Sequence, residues 1–125
     1  MPIQLEIFHP DRIAVGVARG EITLQEFVDF ATAMVKADVV HYRKIFEVTA
    51  ATSMAVGKDE LLAMDERLRQ VTQKGPRGPL AIVADGNRGE LAQTFKALSS
   101  SDRPVEVFRS IHEARKWLAT YPIAM

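Results

Sequence analysis

Three histidines, nine glutamates and a set of hydroxyls are the groups that could carry chemistry in this 125-residue chain. His9, His41 and His112 fall in a turn, just before a strand and in the first turn of the last helix. None has a second histidine or a carboxylate at metal-ligand spacing, so they read as surface or packing residues. Cysteine is absent, which excludes disulfides, thiolate metal sites and cysteine nucleophiles. No nucleophile–base pairing is visible either, so a non-enzymatic role without a cofactor is expected.

Four of the nine glutamates have a structural use. Thr23–Glu26, Gly57–Glu60, Asn87–Glu90 and Ser110–Glu113 each place a glutamate three residues after a helix-cap residue. There the carboxylate can accept from the cap N–H and sits at the positive end of the helix dipole. Each such box is worth ~1 kcal/mol. Glu47 differs, because it lies inside a strand between Phe46 and Val48. A carboxylate there must reach solvent or gain a cationic partner. A rim carboxylate paired with an arginine and a functional carboxylate are both open readings.

The most informative segment follows it: Thr49-Ala50-Ala51-Thr52-Ser53-Met54-Ala55-Val56-Gly57. It is expected to be a strand-to-helix loop at the carboxyl edge of the sheet, where open α/β sheets bind ligands. Thr49, Thr52 and Ser53 offer hydroxyls that phosphorylation would turn into strong negative charges at a partner surface. Met54, Ala55 and Val56 could instead line an apolar pocket or a subunit contact, and a loop packed plainly on the core is the third reading. Gly86-Asn87-Arg88-Gly89 also joins a strand to a helix, where backbone N–H groups and Arg88 could hold an anion. Its alternative is a turn with Asn87 as cap.

The elements that position these residues are legible from pattern. Ile3 to Phe8 and Ile13 to Ala18 form a hairpin around His9-Pro10-Asp11-Arg12, and Arg19-Gly20 ends the second strand. Thr23 opens a helix with Ile22 and Phe27 as its hydrophobic staple. Leu24, Phe27, Val28, Ala31, Met34 and Val35 form its buried stripe. Tyr42 to Val48 is a strand. A second helix carries Leu61, Leu62, Leu68 and Val71 and stops at Lys74-Gly75-Pro76. Pro79 to Ala84 is a strand covered on both faces. Leu91, Phe95 and Leu98 mark a third helix. Val105 to Phe108 is the last strand, and Ser110 to Leu118 the last helix, with Ile111, Ala114, Trp117 and Leu118 inward. The order ββαβαβαβα predicts one α/β domain over residues 1–125, a mixed, mainly parallel sheet of about five strands with an N-terminal antiparallel hairpin.

Composition narrows the partners. Sixteen basic residues balance sixteen acidic ones, which leaves no basic excess for nucleic acid or a membrane surface. No run approaches the ~20 apolar residues of a membrane span, so no stable membrane insertion is expected. Met1-Pro2-Ile3-Gln4-Leu5-Glu6 carries neither the basic region nor the long apolar run of a signal peptide. A cytoplasmic location is expected.

The layout resembles a known group. The hairpin followed by Gly20-Glu21-Ile22-Thr23, the strands Lys44-Ile45-Phe46-Glu47-Val48 and Ala81-Ile82-Val83-Ala84, and the ending Val107-Phe108-Arg109-Ser110 with Glu113-Ala114 and Trp117-Leu118 are similar to the SpoIIAA-like family. That family belongs with the STAS domains of anti-sigma-factor antagonists and the CRAL-TRIO lipid-binding domains. The resemblance covers nearly the whole chain. It implies a non-enzymatic regulatory or binding module that acts through protein–protein contacts, here at residues 49–57, and a homodimer is expected. The CRAL-TRIO side implies the alternative, a small apolar or lipid-like ligand near Met54, Val56 and the first helix. Anti-sigma antagonists carry a phosphorylatable serine in an Asp-Ser-Ser/Ala-Gly-type motif. The matching region reads Ala51-Thr52-Ser53-Met54-Ala55, without that aspartate and glycine, and Ser53 or Thr52 is the nearest equivalent. Glu47 stands where relatives commonly show aspartate.

Overall fold

Turn chemistry and alternation build the first two strands. In the computed structural model, which describes residues 3–55, 59–60, 62–63, 66, 78–84, 93, 96 and 103–121, β1 (Ile3–Phe8) pairs antiparallel with β2 (Ile13–Thr23). The connecting turn closes with Arg12 N–H donating to the His9 carbonyl, and Arg12 takes φ 52°. The remaining strands are β3 (Arg43–Ala55), β4 (Leu80–Val83) and β5 (Val105–Phe108). The sheet order is β1-β2-β3-β4-β5, with β2 to β5 parallel. This is the mixed α/β sheet that the sequence pattern predicts.

Helix α1 (Leu24–Lys36) starts where the sequence places it. Thr23 Oγ1 accepts from Glu26 N–H and the Glu26 carboxylate accepts from Thr23 N–H, a complete capping box. The staple residues Ile22 and Phe27 share one buried cluster. Phe27, Ala31 and Met34 are buried, but Val28 and Val35 are exposed, so the stripe is narrower than the periodicity suggests. Leu62, carried by the second helix, is exposed. Helix α2 (Ile111–Leu118) is capped by Ser110, whose Oγ accepts from Glu113 N–H. Residues 59–60, 62–63, 66, 93 and 96 are helical, consistent with the second and third helices. The ends of those helices, and the Gly57 and Asn87 caps, lie outside the described residues.

The two sheet faces have separate cores. Phe46, Val48, Ala18, Ile22, Leu80 and Ile82 pack with Phe27 of α1. Ile13, Val15, Ile45, Ala81 and Val83 pack with Ala114 and Leu118 of α2, flanked by Trp117 and Phe108. Every residue of β4 is buried, as a strand covered on both faces requires. Gly16 lies under the Phe30 ring, which stacks on Phe46 with centroids 5.6 Å apart.

Candidate functional site

Two strands run longer than the sequence pattern predicts, and the difference moves the candidate site. Arg19-Gly20 does not end β2: Gly20 takes φ +68° and the strand continues to Thr23. Correspondingly, residues 49–55 do not form a strand-to-helix loop; they belong to β3 as far as Ala55. β4 pairs with β3 only from Lys44 to Glu47, whereas β2 stays paired through Ala55. Among the described residues, β2 and β3 therefore form a two-stranded parallel ribbon beyond Glu47. The six β2 residues after Val17 give it a rise of roughly 20 Å.

The ladder shifts register twice there, between Val17/Arg19 and between Gly20/Glu21, each time with an extra residue in β3. Such bulges bend a strand and re-aim its side chains. On the α1 side the ribbon is packed, with Ala18, Ile22, Val48 and Ala51 all buried. Its opposite side is polar, with Arg19, Glu21 and Ala50 exposed.

Glu47 is the last β3 residue paired on both sides, with Val17 and Val83. It is half-buried, and its Oε1 accepts a 2.9 Å hydrogen bond from Thr49 Oγ1. Among the described residues its partner is Thr49, and not an arginine. Thr52, Ser53 and Met54 follow in β3, with Ser53 and Met54 in register with Glu21 and Ile22. Two candidates are thus joined directly, and three more extend along the same strand. Asn87, Arg88, Val56 and Gly57 lie outside the described residues.

Pattern reading missed the opposite end of the sheet. Arg43 and Lys44 are buried there. Arg43 donates from Nη1 to the Leu118 carbonyl (3.2 Å) and from Nη2 to that of Asp11 (2.5 Å). Lys44 Nζ donates to the carbonyls of Val40, Tyr42 (3.0 Å) and Gly78 (3.3 Å). His9 is a packing residue: its Nδ1 lies 2.7 Å from Tyr42 Oη. His41 meets the same ring edge-on, and the Arg12 guanidinium lies 5.7 Å from its centroid. The described residues contain no group of three His, Cys, Asp or Glu able to hold a metal ion. No described helix is long and apolar enough to cross a membrane.

No sequence-family model matches the chain, and no curated protein matches it by sequence. Solved structures do match. An uncharacterized DUF3478-family protein from Shewanella loihica PV-4 superposes with a TM-score of 0.63 at 14% identity, covering 93% of this chain and 91% of that one. It is described as having a SpoIIAA-like fold. The chain shares that fold. The anti-sigma factor antagonist SpoIIAA in its unphosphorylated form matches with a TM-score of 0.58 at 14% identity, over 95% of this chain and 99% of that one. The SpoIIAA-like architecture thus extends over almost the entire length, while the identity transfers no site residue.

Proposed function

We propose that this chain is a non-enzymatic regulatory module of the anti-sigma-factor-antagonist type, which binds a protein partner along the carboxyl-edge ribbon formed by β2 and β3. The observation that carries the reading is the ribbon's two-sidedness. One side is buried under α1, and the other offers Arg19, Glu21 and Ala50 together with the Glu47–Thr49 pair, which stands where β4 ends. A ribbon that runs on past the last β3–β4 pair, re-aimed by two bulges and bearing charges of both signs, suits specific contact with another protein. The antagonist SpoIIAA, on the same fold, supports a regulatory role. Thr52, Ser53 and Met54 continue the contact along β3, with Asn87 and Arg88 contributing from the segment that follows β4 in sequence. Ser53 or Thr52 is the hydroxyl through which phosphorylation would switch it.

The test compares wild-type protein with an Arg19→Glu/Glu47→Lys variant as bait in a lysate of the source organism, read by quantitative mass spectrometry. Circular dichroism confirms that both baits are folded. A partner retained by the wild type and depleted more than about ten-fold by the variant supports the reading. A partner set that is identical for the two baits overturns it.

A further inference from the structure

Sheet edges must be managed, because an open strand presents a row of N–H and C=O groups to any other strand. The two edges of this sheet are treated differently. β5 is four residues long and carries Glu106, which is ion-paired with Lys96 at 2.6 Å. β1 has six residues in unbroken register with β2. It contains no proline, no bulge and no basic residue, and its one charge is Glu6.

The phase of the hydrogen bonding identifies which β1 groups face outward. Arg43 N–H donates to the Arg12 carbonyl, and Ile13 is in register with Arg43. In a parallel ladder this turns the peptide groups of Ala14 and Gly16 toward β3 and those of Ile13, Val15 and Val17 toward β1. The partners of these last three are Phe8, Glu6 and Gln4. The N–H and C=O groups of Ile3, Leu5 and Ile7 therefore point out of the sheet.

We propose that β1 is the dimerisation edge of this protein, pairing antiparallel with β1 of a second copy about a two-fold axis through Leu5. The strand is self-complementary in that register. Leu5 faces its own copy and Ile3 faces Ile7, which lets all three outward-facing residues bond. On the other face Gln4 stands opposite Glu6, an amide donor against a carboxylate, at a non-hydrogen-bonded position where side chains come closest. Shifting each strand by one residue toward its end brings Glu6 opposite Glu6 or Gln4 opposite Gln4. Either shift also loses hydrogen-bonded pairs. Gln4 and Glu6 are exposed, while Ile3 is buried and Leu5 and Ile7 are half-buried beside α1. The dimer therefore joins two packed faces and leaves both carboxyl-edge ribbons outside the contact. It is independent of the function proposed for those ribbons.

Sedimentation velocity on the full chain, between about 1 and 100 µM, tests the proposal. A species of twice the 13.9 kDa chain mass is expected. Gln4→Glu sets two like-charge pairs across the axis and raises the dimer dissociation constant roughly ten-fold. Gln4→Lys lowers it, and Gln4→Glu/Glu6→Lys restores it. Leu5→Pro removes an outward N–H without touching a bond to β2, and abolishes the dimer. If Leu5→Pro does not fold, the exposed Gln4 and Glu6 variants decide the matter alone. A monomer throughout the range, or a dimer indifferent to the charge at position 4, overturns the proposal.

Discussion

Replacing Lys44 by methionine sets two large effects against each other. Lys44 is 4% exposed, and its ammonium donates to the carbonyls of Val40, Tyr42 and Gly78. Methionine keeps most of the stem but supplies no donor. Loss of the buried charge relieves a desolvation cost of several kcal/mol. Against this, the carbonyls lose their partner. Val40 keeps a bond from Gly78 N–H, so its loss is small. The carbonyls of Tyr42 and Gly78 each lose a donor, at about 1–3 kcal/mol apiece when buried. They also precede β3 and β4, so their loosening is felt at the starts of both strands. The desolvation cost is already met in the folded wild type, where relief of it and loss of the ammonium's own bonds largely cancel. The orphaned acceptors then set the outcome, a destabilisation of about 3 kcal/mol. At an m-value of about 1.5 kcal/mol/M, the urea midpoint falls by about 2 M with the slope unchanged. Equilibrium urea unfolding followed by circular dichroism measures it. A midpoint within about 0.3 M of wild type would refute the reasoning, since the carbonyls would then not depend on the ammonium.

Two glycines differ in what an added methyl would strike. At Gly78 a Cβ would run into the backbone carbonyls of His41 and Tyr42, whereas at Gly16 it would meet the edge of the half-buried Phe30 ring. Gly78→Ala is expected to cost about 3 kcal/mol and Gly16→Ala about 1 kcal/mol in chemical denaturation; the reverse ranking would contradict the packing described. Thr23→Ala removes the capping box of α1 and should cost about 1 kcal/mol, a fall of about 4 °C in Tm by calorimetry.

What could be read from the sequence was what local chemistry decides. The hairpin, the Thr23–Glu26 box and β5 depend on residues adjacent in the chain, and all appear where pattern places them. The missed features depend on distant partners. Ala50 and Ala51 have poor strand propensity, and nothing in their neighbourhood announces that Arg19 and Gly20 will pair with them. Gly20 looked like a stop because glycine ends strands as often as it permits a positive φ within one. Val28 and Val35 share the period of the buried stripe, but they are exposed, while Phe27, Phe30, Ala31 and Met34 pack on the sheet side of α1. Nothing in the pattern marks Arg43 and Lys44 for burial, since Arg43 is held by the carbonyls of Asp11 and Leu118 and Lys44 in part by that of Gly78. Of the candidate site, the positions of Glu47 and Thr49 stood out in the sequence, while their mutual hydrogen bond and the ribbon carrying them did not.

The contrast between the two ends of the sheet bears on the contact surface proposed for one of them. At the amino end, the Arg43 and Lys44 cations are bonded to backbone carbonyls, tying the β1–β2 turn, the end of α2 and the entrances to β3 and β4 into one unit. A substitution there is felt by several segments at once. At the carboxyl end Arg19, Glu21 and Ala50 are exposed, and Glu47 bonds a hydroxyl two residues along its own strand. Residues such as Arg19, Glu21 and Ala50 can change with little effect on folding, because surface positions outside caps and buried networks usually shift stability by less than about 0.5 kcal/mol. Binding specificity can therefore vary along β2 and β3 while the scaffold holds its shape. Such a division is compatible with 14% identity between chains that nevertheless superpose over more than nine-tenths of their length.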